Sequence, residues 1–184
     1  MATKPKTLND LFLHTLKDIY YAEKQIYRTL PKMAKAADSE ELKKALELHR
    51  EQTEGQIGRL EDAFKAIEKR AQGVPCEAIQ GILEEGKEVM EDFGDSDVID
   101  AGLIAGAQAV EHYEIARYGA LKTWAAQLDL PEVASLLDQT LQEEKETDKI
   151  LSELAEKLNT KGRTGEQNAA PKSQRKSPEM AAAK

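Results

Sequence analysis

Six side chains that could do chemistry lie on helical stripes that are otherwise apolar: Glu23, His49, Glu111, Glu114, Glu144 and Asp148. Glu23 falls between Ile19 and Ile26, in phase with Leu30. Glu114 shares a stripe with Val110 and Leu121, and Glu111 lies at its edge one turn earlier. Glu144 and Asp148 continue the run of Leu137, Leu141 and Leu151. His49 and Thr53 sit among Leu42, Leu46 and Leu60, with Gln52 and Gln56 nearby. Several inward-facing carboxylates cannot all stay ionised without a cation, because like charges a few Å apart raise one another's pKa. A divalent or trivalent metal, singly or as a pair, supplies positive charge and accepts oxygen and imidazole ligands. Mutual protonation or a basic partner is the alternative. No lysine falls centrally on these stripes, and Arg117, toward the edge of the Glu114 stripe, is the basic residue placed to compete.

Depth adds a second coincidence. The helices that carry these residues have midpoints near about residues 21, 54, 112 and 145, and Glu23, Thr53, Glu111 and Glu144 lie within about two residues of them. One glutamate on an apolar stripe is ordinarily a boundary residue whose head reaches water. Agreement of four helices in both phase and depth is what points to a metal site. His14 lies far toward a helix end and His112 points away from its stripe, so neither is included. Tyr20, Tyr27, Tyr113 and Tyr118 read as packing residues with hydroxyls at polar neighbours; Tyr118, one turn beyond Glu114, has in addition a weak claim to a redox role.

The elements that must position these residues are five helices. Helix A runs from about Thr7 to about Lys35, with Pro31 placed to kink or end it early. Helix B follows Ser39 as N-cap and ends at Gly73-Val74-Pro75. A shorter helix runs from about Cys76 to about Phe93, helix C from about Val98 to Leu128, and helix D from about Pro131 to Leu158. Short A–B and C–D connections make antiparallel hairpins. The B–C connection is long enough to travel the bundle and make B and C parallel. The fold class expected is therefore all-α, a four-helix bundle of ferritin-like topology whose long crossover contains the fifth short helix.

Composition limits what else the chain can be. It has 184 residues, 33% charged and 5% aromatic, with one cysteine and a net charge of −8. These values favour long exposed helices and exclude an internal disulfide framework. Residues 161–184 carry +4, which leaves −12 on residues 1–160. The tail, from about residue 159, has almost no large apolar residues and reads as disordered and basic; residues 1–6 read as an N-terminal extension, and 7–158 as the bundle domain. An acidic body argues against a nucleic-acid partner, except weakly through the tail. The longest run without charge, Ala101–Val110, is far short of the roughly 18 apolar residues of a membrane span, and there is no signal-peptide core. A cytoplasmic protein is expected.

The segments LNDLFLHTLKDIYYAEKQI (8–26), HREQTEGQIGRLE (49–61), DAGLIAGAQAVEHYEIARYG (100–119) and LLDQTLQEEKETDKIL (136–151) resemble those of the YciE/YciF-type stress-response proteins. That ferritin-like family is related to rubrerythrin. The resemblance implies a homodimer, stress-linked expression and a metal site. Against rubrerythrin, Glu23, Glu111, Glu114 and Glu144 match glutamate ligands, whereas Thr53, Gln56 and Thr147 stand where that pattern has ligands of its two Glu-x-x-His motifs. His49 and Asp148 are the substitutes on the same wheels. The function expected is a metal-binding stress protein using iron or manganese, redox-active toward peroxide or oxygen. The alternative is a non-enzymatic dimeric scaffold with a vestigial polar core. Gly55 and Gly58 suit the scaffold, because they offer the crossover helix or a second subunit a close approach on the face opposite His49.

Overall fold

The computed structural model describes residues 5–160. Five helices follow in the order α1 Leu8–Ala36, α2 Glu40–Ala66, α3 Glu77–Phe93, α4 Ile99–Gln127 and α5 Pro131–Leu158. The basic tail and most of the N-terminal extension lie outside the described residues. Among the described residues there is no strand, and no helix is long and apolar enough to cross a membrane.

Local sequence accounts for the helix ends. Thr7 and Asp10 form a reciprocal capping box at α1: Asp10 N–H donates to Thr7 Oγ1 (3.3 Å) and Thr7 N–H to Asp10 Oδ2 (2.8 Å). Ser39 caps α2 by accepting from Leu42 N–H at 3.4 Å. Pro31 does not end α1, which continues to Ala36. It is exposed, so the carbonyl it cannot bond lies on the solvent side. The end expected for α2 at Gly73 is corrected: the helix stops at Ala66. Glu68 there takes a left-handed conformation (φ 55°), with Lys69 N–H donating to Phe64 O and Glu68 N–H to Lys65 O. That is a Schellman stop built without glycine. Asp129 (φ 57°) ends α4 the same way, with Leu130 N–H donating to Ala125 O.

The stretch from Ile67 to Val98 then runs back along the bundle. Val74 N–H donates to Lys17 O, and at Gly73 a Cβ would meet Tyr21 Cβ at 3.0 Å. α3 packs on α1 and α4, closely enough that a Cβ on Gly102 would reach Val89 Cγ1 at 2.5 Å. The direction of α4 follows from its start. The Asp100 carboxylate accepts from the backbone N–H of Asp38 (2.8 Å) and of Ser39 (3.0 Å), so α2 and α4 begin at the same end and run parallel. α1 packs on α2 and α4, and α5 on α2 and α4, which leaves α1/α5 and α2/α4 as the diagonals. This is the expected ferritin-like arrangement. The crossover helix does not approach Gly55 or Gly58: Gly58 has open space and Gly55 faces only Arg59 Nη1 at 3.8 Å.

A glutamate in the left-handed region costs about 1–2 kcal/mol that glycine does not incur. Glu68→Gly should therefore raise the thermal midpoint by roughly 2–4 °C, read by circular dichroism. Asp129→Gly should gain less, because aspartate tolerates that conformation better.

Candidate metal centre

The apolar stripes of α1, α2, α4 and α5 close on Phe12, Leu16, Leu46, Leu60, Leu103, Leu121, Leu137 and Leu151, all essentially without solvent contact. At mid-bundle this core is interrupted. Glu23, Glu111, Glu114 and Glu144 are 0% exposed and His49 is 2% exposed. One ligand atom each from His49, Glu111, Glu114 and Glu144 lie within 4.8 Å of one another. His49 Nδ1 is 2.8 Å from Glu111 Oε1, and His49 Nε2 is 4.0 Å from Glu144 Oε2. Glu23 joins the cluster beside Glu114. Its carboxyl faces that of Glu114 and accepts a short hydrogen bond from the buried Tyr118 hydroxyl.

Burial raises the pKa of every carboxyl here, since the charged form loses water. Glu23 rises to about 7, offset by the Tyr118 hydrogen bond, and Glu111 to about 8, offset by its contact with Glu144. Glu114 and Glu144 are pushed well above the usual range, first by burial and then by the neighbouring carboxylates. His49 is pushed down by burial, partly opposed by Glu144 and Glu23. The side chains form two carboxyl pairs, Glu23 with Glu114 and Glu111 with Glu144. Beyond these carboxyl contacts and the close but unaligned approach of His49 Nδ1 to Glu111, both oxygens of Glu111, Glu114 and Glu144, one of Glu23, and His49 Nε2 have no hydrogen-bond partner. Buried polar atoms are rarely left so, and this orphaned set of carboxylate oxygens with one imidazole fits a hard or borderline cation.

Asp148 is the sequence candidate that the structure sets apart. It is half-buried, 3.2 Å from His112 Nε2 and accepting from Gln108 Nε2 at 3.2 Å. One residue is about 100° of helical turn, so Thr147 takes the inward position and Asp148 turns to α4. Arg117 does not compete for the cluster either: its guanidinium lies 3.7 Å from Asp18 and over the Tyr113 ring. Thr53 is buried on the stripe but spends its hydroxyl on His49 O (2.9 Å). Residues unsuspected from sequence are Arg59 and Glu143, paired between α2 and α5, with Gln56 donating to Glu143 at 3.2 Å. Beside His49 and Glu111 lies a cavity of about 10 Å³, lined mainly by Ile26, Leu30, Leu83 and Val110. It is about large enough for one water.

Fold and site together define a ferritin-like bundle with a buried carboxylate–histidine core. Over residues 7–163 the chain matches the family described as "Domain of unknown function (DUF892)", and it belongs to that family. It is 46% identical over 151 residues to protein YciF of Escherichia coli K12, covering 82% of this chain and 91% of YciF. The crystal structure of the Escherichia coli stress protein YciF is similar at a TM-score of 0.81 and 45% identity, covering 85% of this chain and 99% of that one. YcfI from Rhodopseudomonas palustris is similar at 0.79 and 43%, covering 83% and 97%. The chain is thus a homologue of a stress protein.

The pKa shifts set a pH dependence for the metal-free protein. Glu23 and Glu111 hold protons in the native state up to about 7 and 8, whereas the unfolded value is 4.5. The native state binds more protons across that window, so stability falls as pH rises through it. Lowered His49 acts oppositely, but only below its unfolded value of 6.5. In chelator the thermal midpoint should therefore drop between about pH 6.5 and pH 8, and Glu111→Gln should flatten the drop.

Proposed function

We propose that this protein binds iron or manganese in its core through Glu23, His49, Glu111, Glu114 and Glu144, as part of a stress response. The observation that carries the reading is the set of orphaned carboxylate oxygens and imidazole nitrogen converging at mid-bundle. Metal binding would offset the burial that raises these pKa values, because the ion supplies the charge that lets the carboxylates ionise. Four of the ligands, His49, Glu111, Glu114 and Glu144, converge within 4.8 Å, and Glu23 lies against Glu114 as the fifth. Oxygen donors and a single imidazole favour iron or manganese over softer ions. Such an ion would supply one-electron chemistry toward peroxide or oxygen. The chain's own part is to hold the ligands in a dry core and, through Tyr118, to keep Glu23 oriented.

A scaffold with a metal-free polar core is the second reading, and the two carboxyl pairs favour it, since each can share a proton. Elemental analysis of protein purified without chelator separates the two. The metal reading expects iron or manganese at one to two ions per chain, and Glu23→Ala and Glu144→Ala should each remove it while the helical spectrum persists. The scaffold reading expects no metal, no uptake on titration, and higher thermal stability in the same variants, because buried carboxyls are then removed at a gain.

A further inference from the structure

α2 and α5 meet along a seam that is polar where the rest of the bundle is apolar. Its three successive rungs are Gln52 with Thr147 (3.5 Å), Gln56 with Glu143 (3.2 Å) and Arg59 with Thr140 (3.0 Å). Arg59 Nη2 also closes tightly on Glu143 Oε2. Depth changes sharply across these residues. The Arg59 and Glu143 side chains keep 16% and 26% of their surface, whereas Thr140 and Gln56 are 1% and 0% exposed. Gln56 therefore spans from the outer pair to the interior. Its Nε2 donates outward to Glu143, and its Oε1 is buried with no donor.

That orphaned oxygen lies at the depth of the candidate metal centre. Tyr20 bonds Glu61 (2.7 Å) and Tyr27 is bonded by Arg50 (2.8 Å), and between these two contacts Glu23 comes level with Gln56. Glu143 precedes Glu144, whose carboxyl belongs to the cluster. Half-exposed Glu143 and the fully buried Gln56 amide thus form a polar step from the surface to the level of Glu23. The other approach, the cavity at Ile26, Leu30, Leu83 and Val110, also reaches His49 and Glu111, but its outer wall is mainly apolar, with Thr29 as its further hydroxyl. A hydrated cation sheds water readily only where oxygen ligands replace it.

We infer that the α2–α5 seam is a transit site for a divalent cation, with Glu143 and the Gln56 amide as its ligands and Arg59 as the displaceable counter-ion that fills it in the metal-free protein. Rotation of the Gln56 amide turns its oxygen from the interior toward Glu143 and back, so the same group serves an ion on either side. Arg59 holds Glu143 until an arriving ion displaces it. The inference rests on the metal-binding reading and adds the route by which the core is loaded.

Stopped-flow uptake of Co2+ by the metal-free full chain, followed by visible absorbance, tests it. Glu143→Gln should slow uptake and release together by about tenfold, leaving stoichiometry and Kd unchanged, because a transit site alters rates and not the end state. Arg59→Gln should speed uptake several-fold. Glu146→Gln, on the same helix but paired outward with Lys149 (3.7 Å), removes the same charge away from the seam and should load at the wild-type rate. Wild-type rates in the Glu143 and Arg59 variants, or equal slowing in the Glu146 variant, would overturn the transit site alone. Absence of Co2+ binding by the wild type at equilibrium would overturn the metal reading and the transit site with it.

Discussion

The structure depends on one electrostatic constraint: four glutamates occupy a core that solvent does not reach. In such a medium an ionised carboxylate without a partner is costly, and four together are costlier still. The molecule answers in two ways visible in its geometry. The carboxyls are arranged as two facing pairs, and a tyrosine hydroxyl and an imidazole bring further polar atoms against them. Even so, most of their oxygens keep no donor. A core with this much unmet polarity is stabilised by whatever cation or proton it takes up.

The helices around the cluster are organised to make that convergence happen. Parallel α2 and α4 bring His49 to Glu111, and this direction depends on the crossover returning the chain to the end where α2 began. The crossover is held by close contacts, Gly73 on Tyr21 and Gly102 near Val89, where a larger residue would push the segments apart. With a short connection in its place, α4 would run the other way and Glu111 would not face His49. Fold topology and site chemistry are in this sense one requirement.

Much of this was legible in the residues. Apolar spacing revealed the helices, and the glutamates on the stripes revealed their own inward direction, because phase on a helix follows directly from residue number. Phase alone is a weak guide at two places. Asp148 and Thr147 differ by one residue, and packing of Asp148 against His112 and Gln108 decided which turned inward. α2 ends before Gly73 because Glu68 makes a left-handed stop that glycine usually signals. Arg59 and Glu143 are not legible in the sequence, because each looks like an ordinary surface charge on its own helix.

The sequence by itself determined the all-α class, the crossover, the inward phase of the core glutamates and His49, and the shared depth of Glu23, Glu111 and Glu144, since those are periodic properties of single helices. Its match over residues 7–163 also suffices to assign the family. Only the tertiary structure decided which polar groups meet: Glu23 with Tyr118 and Glu114, His49 with Glu111, and Glu143 with Arg59 and Gln56. Those pairings follow from the register and rotation of one helix against another. They are set by the packing of many side chains at once, and no single segment encodes them.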